Sequence, residues 1–167
     1  MKRIPKILLL AALVLGCILP ATAQKSFGAA KYSAMCSYYG ENIASTVTAY
    51  EAGESAQTVI KGIMSAIGLR PNFELRSANV PNAAAVMIKN KRYFLYNPDF
   101  MNKINTASGT NWAAISILAH EIAHHLNGHT LDQYGSRPAT ELEADEFSGF
   151  VLQRMGATLP DAQAALA

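Results

Sequence analysis

The chain has 167 residues, room for one domain, and a formal charge of +2. That charge comes from its start: Lys2, Arg3 and Lys6 stand there with no acid, so from Gln24 onward eleven bases face twelve acids. A balance near −1 with no basic patch excludes a nucleic-acid binder that works by phosphate neutralisation.

The basic start runs into the apolar stretch "ILLLAALVLGCILP" from Ile7 and then "ATA" at Ala21 to Ala23. A basic, an apolar and a small-residue part in that order describe a secretory signal peptide over residues 1–23, cleaved after Ala23. The expected domain is therefore 24–167. The apolar run is short of the about 20 residues a helical span needs, and no later run reaches that length. "VLGC" ending at Cys17 loosely resembles a bacterial lipobox, which would make Cys17 a lipid-anchor site. Leu15 fits that pattern poorly, so the lipoprotein is the weaker reading. Either way the expected location is exported, periplasmic or extracellular. Cys36 is then the single remaining thiol, read as buried and inert, with no internal disulfide. About 144 exported residues can bury a sufficient core without such staples.

Gln24 to Gly40, mixed and rich in Gly, Ala and Ser, reads as a mobile lead-in or a short helix. Residues 41–67 read as helix interrupted near Gly53, with Val59, Ile60, Ile63, Met64 and Ile67 at helical spacing. Gly68 suits the position after the helix, and Pro71 follows. "NFELRSANV" reads as a strand and Val80-Pro81-Asn82 as a turn or strand start. "AAAVMIKNKRYFLYN" reads as a hairpin turning near Asn90-Lys91. The Asn, Pro and Gly of "NPDFMNKINTASGT" suggest a connection. A helix follows from Asn111 to Asn127, capped by Ser108 or Thr110 and closed by Gly128. "TLDQYGSRP" is a loop. The next helix runs from Pro138 to Met155, with Pro in its first turn and Gly156 at its end. "ATLPDAQAALA" opens another. Helix, short strands and then helices make an α+β fold.

All four histidines lie in "ILAHEIAHHLNGH", Ile117 to His129. His120-Glu121-Ile122-Ala123-His124 is an H-E-x-x-H sequence. Residues four apart on a helix lie about 40° apart and one turn up. Two imidazoles so placed can converge on one Zn²⁺, with Zn–N near 2.0–2.1 Å. Glu121 sits on the adjoining face, able to reach a water on the metal without binding the metal. On a helical wheel Ile115, Leu118, Ala119, Ile122, Ala123 and Leu126 form one apolar face. His120 and His124 lie opposite, flanked by Ala113 and Ile117. A helix apolar nearly all round belongs in the middle of the fold. Two buried histidines there need partners, either a metal or ordinary core hydrogen bonds. His125, about 100° from His124, is off the ligand face. It reads as a supporting or surface residue.

A catalytic zinc takes three protein ligands and keeps one position open. His129 is one candidate for the third. The metzincin pattern H-E-x-x-H-x-x-G-x-x-H needs Gly and His where this chain has Asn127 and Thr130, so that pattern is rejected. The other candidates are carboxylates of "ELEADEFSGFVLQRM". Glu143, Glu146, Gln153 and Arg154 cluster on a solvated side. Glu141 and Asp145 lie on the other, with Ala144, Ser148, Val151, Leu152 and Met155. Two inward carboxylates need a partner, and a metal already holding two histidines is one. Glu141 is the expected third ligand. Asp145, one turn on, would accept the second N–H of an imidazole. The alternative is a pair of acids favoured by the helix dipole.

"HEIAHHLNGH" and "ELEAD" together resemble the gluzincin metallopeptidases, above all their HtpX-like and CAAX-prenyl-endopeptidase-like branch. The resemblance implies a zincin-like fold: a central H-E-x-x-H helix against a second, Glu-bearing helix, with a small hairpin or sheet. It also implies one Zn²⁺ per chain, His120, His124 and Glu141 as ligands, Glu121 as the catalytic residue and Asp145 behind the ligands. "NAAAVMI" matches a further strand motif of that family at Asn82, Ala83 and Ala85. There the strand edge holds substrate backbone, as an exposed edge can by adding a peptide strand. A plain hairpin strand is the alternative. The resemblance spans about Gly68 to Gly156. The membrane-embedded relatives have several spans and this chain has none after its leader, so it resembles the small exported members. It offers no unambiguous donor for an oxyanion, and Tyr134, His129 and Arg137 are the candidates.

The leading expectation is a zinc-dependent endopeptidase acting on extended or unfolded polypeptides through a zinc-bound water activated by Glu121. The alternative is a non-catalytic zinc-stabilised module that binds exported proteins or an envelope partner. A closed four-ligand site with His129 as the fourth would favour the module.

Overall fold

The fold is taken from a computed structural model that describes residues 25–28, 34–37, 43, 47–131 and 137–164. It is α+β. Six strands form one sheet: β1 (Lys25–Gly28), β2 (Ala34–Ser37), β3 (Val47–Glu51), β4 (Glu74–Ala78), β5 (Ala83–Ile88) and β6 (Lys91–Tyr96). Their order is β1-β3-β4-β6-β5-β2. Neighbours run antiparallel except β4 and β6.

The hairpin forms where the sequence places it. β5 and β6 pair from Ala83↔Tyr96 to Ile88↔Lys91. The turn is Lys89-Asn90, one residue before the expected place, with φ of 50° and 60°. Positive φ at both central residues is what a tight two-residue hairpin loop requires. Ala83–Val86 of β5 and Tyr93–Tyr96 of β6 are buried on both faces of the sheet, so these runs do not alternate. Ala83, Phe94 and Tyr96 join the core under the helices. Ala84, Val86, Ile88, Tyr93 and Leu95 face the other way, against Val47, Ala49, Ala78 and Val80.

Among the described residues five helices follow: α1 (Glu54–Ile67), α2 (Pro98–Ser108), α3 (Trp112–Leu126), α4 (Pro138–Arg154) and α5 (Leu159–Ala164), with a 3-10 turn at His129–Leu131. α1 buries Ile60, Ile63 and Met64 and closes on Gly68. α3 is central, with 12 of its 15 residues buried. α4 approaches it closely because small residues meet at the crossing: Ala144 and Ser148 are buried, and Ser148 Oγ donates to the Ser116 carbonyl at 2.9 Å.

Three expectations fail here. Within Gln24 to Gly40 the described residues are strands, β1 and β2, not helix. Val47–Glu51, just before Gly53, is strand β3 rather than part of a helix. Val47 and Ala49 are buried two apart, a strand period, and β-branched and aromatic residues favour the pleat once partners exist. Those partners, β1 and β4, come from distant sequence. The connection after Tyr96 is helix α2. Asn97 Oδ1 accepts from the N–H groups of Asp99 and Phe100, Pro98 opens the helix, and Gly109 closes it at φ 67°. Asn, Pro and Gly cap this helix rather than mark a loop.

Residues 1–23, read as a leader, with Cys17, and Tyr134, lie outside the described residues. The Cys36 backbone belongs to β2. No described helix is long and apolar enough to cross a membrane.

Candidate metal centre

α3 and α4 together build a His120–His124–Glu141 group that could hold a metal ion. The two histidines come one turn apart from α3, and Glu141 from the first turn of α4. His120 Nε2 lies 3.1 Å from His124 Nε2 and 3.1 Å from Glu141 Oε2. His124 Nε2 lies 3.6 Å from Glu141 Oε1. A tetrahedral ion with bonds of about 2.05 Å sets its ligand atoms about 3.3 Å apart. The three side chains therefore fit a divalent cation without rearrangement.

Proton placement supports the fit. His120 Nδ1 is 2.8 Å from Asp145 Oδ1. A carboxylate only accepts, so Nδ1 carries a proton and Nε2 is the ring nitrogen turned into the cluster. That nitrogen faces a carboxylate oxygen and a second imidazole nitrogen. Glu141 Oε1 is buried and has no hydrogen-bond partner. Acceptors gathered away from water are costly unless a cation sits among them. Burial, and after it the neighbouring His120, His129 and His125, pushes His124 from 6.5 down to about 3. Its ring is neutral, the form that binds a metal.

Glu121 is fully buried on the adjoining face of α3. Its Oε2 accepts from the Ala85 N–H at 3.0 Å. The carboxylate is thus held between the central helix and β5, next to the histidine pair.

The remaining candidates fall elsewhere. His125 is neither in the metal group nor at the surface, being 1% exposed. Its Nε2–H donates to the Tyr93 carbonyl at 3.0 Å, leaving Nδ1 to accept from Thr130 Oγ1 at 3.2 Å. It also stacks on Phe73. It ties the end of α3 to the sheet, and burial lowers its pKa to about 4. His129 lies behind the site, its Nδ1 2.9 Å from His124 Nδ1 rather than among the converging atoms. Arg137 is exposed at the start of α4.

Asn82, Ala83 and Ala85 do not border an open edge. β5 is paired on both sides, by β6 and by β2, with Cys36 opposite Ala85. The expected peptide-binding edge is taken by this chain's own strand. Asn82 is buried, and its Oδ1 accepts from the Ala83 N–H at 2.7 Å.

One residue escaped the sequence reading. Glu143, assigned to the solvated side of α4, accepts from His129 Nε2 at 3.0 Å while its side chain stays 59% exposed. The helical wheel carried no signal for it, because its partner comes from the 3-10 turn. Comparison with protein-family models, with curated proteins and with solved structures yields no match.

Proposed function

We propose that this chain is a zinc-dependent endopeptidase acting on extended or unfolded polypeptides. The observation that carries the reading is the convergence of two imidazoles and a carboxylate at 3.1–3.6 Å, with a buried Glu121 on the adjoining helix face. A two-nitrogen, one-oxygen set suits Zn²⁺. His129 stays out of the group, which among the described residues has three protein ligands, the number typical of a catalytic site with an open position. That favours the enzyme over the closed binding module.

When bound, the ion supplies Lewis acidity that polarises a peptide carbonyl. The chain's own residues do the rest. Glu121 takes a proton from the attacking water on its carboxylate and returns it to the leaving amine nitrogen. Asp145 holds the proton on His120 Nδ1 and so keeps Nε2 available. Ala85 fixes the Glu121 carboxylate. Substrate recognition does not use the β5 edge, since β2 occupies it. Export rests on the pattern of residues 1–23.

The test is cleavage of unfolded casein by zinc-loaded protein lacking residues 1–23, beside Glu121→Gln. Cleavage by the wild type alone supports the peptidase and the role of Glu121. Equal cleavage by both overturns the mechanism. Zinc binding without cleavage by either returns the reading to the binding module.

A further inference from the structure

We propose that His129 and Glu143 form a hydrogen-bonded relay that sets the tautomer of His124 and aims its Nε2 at the metal group. Both are positioning residues, and the inference rests on the metal-site reading above.

The His124 ring is fully buried, with a partner at each nitrogen. Its Nε2 faces His120 Nε2 and Glu141 Oε1, so Nε2 must be the lone-pair side to serve as a ligand. The ring proton then sits on Nδ1. The group facing Nδ1, at 2.9 Å, is His129 Nδ1. Only one of those two atoms can donate to the other, so His129 Nδ1 accepts. The His129 proton is therefore on Nε2, which faces Glu143 Oε2 at 3.0 Å. A carboxylate only accepts, so the chain closes without conflict. Donation runs in one direction, from His124 through His129 to Glu143. In the reverse direction His124 would carry its proton on Nε2, pointing at His120 Nε2.

The backbone is built for this arrangement. Gly128 at φ 78° ends α3 and turns the chain back on itself. His129 opens the 3-10 turn there, and its ring meets His124 edge-on, with centroids 5.1 Å apart at 64°. Glu143 comes round from α4, two residues after Glu141. One helix thus supplies a carboxylate to the metal group and another to the far end of the relay. Each ligand histidine is oriented by a carboxylate, His120 directly by Asp145 and His124 through a second imidazole. Partners of this kind fix ring orientation and raise ligand basicity. Their loss typically costs 10–100-fold in metal affinity.

The experiment compares wild type with His129→Phe, which keeps the ring volume and removes the acceptor, and with Glu143→Ala. Folding of each is checked by circular dichroism. Two-bond ¹H–¹⁵N correlation of the histidines in metal-free protein reads the tautomer directly. It does so whether or not zinc binds. The expected result is His124 protonated on Nδ1 in the wild type, with that preference lost in His129→Phe. Zinc affinity, by chelator competition, should fall about 10–100-fold in His129→Phe and less in Glu143→Ala. A folded His129→Phe with the wild-type His124 tautomer overturns the relay. So does a nitrogen fewer around cobalt in that variant's X-ray absorption spectrum, since His129 would then be a ligand. A wild type that shows the tautomer but binds no zinc sinks the metal-site reading and leaves the relay standing.

Discussion

Ala85 in strand β5 donates its backbone N–H to Glu121 Oε2 of the central helix across 3.0 Å. The bond joins sheet to helix at the residue proposed to move protons, so removing the carboxylate has a structural as well as a chemical consequence. Glu121→Gln keeps an acceptor for that N–H. Glu121→Ala leaves it buried and unsatisfied, which costs about 1–3 kcal/mol. Urea unfolding of the two metal-free variants should show the alanine form less stable than the glutamine form. Equal midpoints would mean the bond contributes nothing.

Glu141→Ala should weaken zinc binding severely, because it removes one of three converging donors. Asp145→Ala should cost less, about 10–100-fold, since it only frees the His120 ring. Calorimetric titration ranks them. Unchanged affinity in Glu141→Ala would return the third position to another residue.

Chelation should lower the melting temperature of zinc-loaded wild type. A ligand bound only by the folded state stabilises it by about 2.7 kcal/mol at a free concentration 100 times Kd. The melting temperature of Glu141→Ala should respond far less to the same chelator. A wild type insensitive to both zinc and chelator would speak against a site of useful affinity.

Metal-free protein should lose stability on the acid side through its buried imidazoles. His125 has a folded pKa of about 4 against 6.5 unfolded. Above 6.5 both states are neutral and the group contributes nothing to the pH dependence. As pH falls from 6.5 towards 4 the unfolded chain takes a proton that the folded one refuses, and stability drops. For a shift of this size the loss is on the order of 3 kcal/mol. Denaturant melts against pH should show a shallower acid slope in His125→Gln than in wild type. Identical slopes would show that His125 titrates normally in the fold.

Asn97→Ala should destabilise the fold by about 1–2 kcal/mol. Its side chain accepts from two N–H groups at the start of α2, and its Nδ2 donates to the Val80 carbonyl at 2.8 Å. Zinc affinity should not change, because Asn97 touches none of the metal group. A stability equal to wild type would remove the capping argument.

Much of the metal group was legible in the chain itself, because helical geometry is local. H-E-x-x-H puts His120 and His124 one turn apart on whatever helix forms. The segregation of Glu141 and Asp145 from Glu146 on α4 pointed to the carboxylates that reach His120. The two-residue hairpin was readable for a similar reason, since its strands are neighbours in sequence. Only the tertiary structure decided the rest. β1, β2 and β3 exist through pairing with distant strands, so no local period announced them. The capping residues of α2 have the same identities as loop residues, and the packing of Phe100, Met101 and Ile104 against the core separates the two cases. The apparent edge of β5 is closed by β2, and Glu143 meets His129 across a turn that no helical wheel contains. A spacing of four residues on one helix is set by the backbone. A contact between elements is set by how their faces bury against one another.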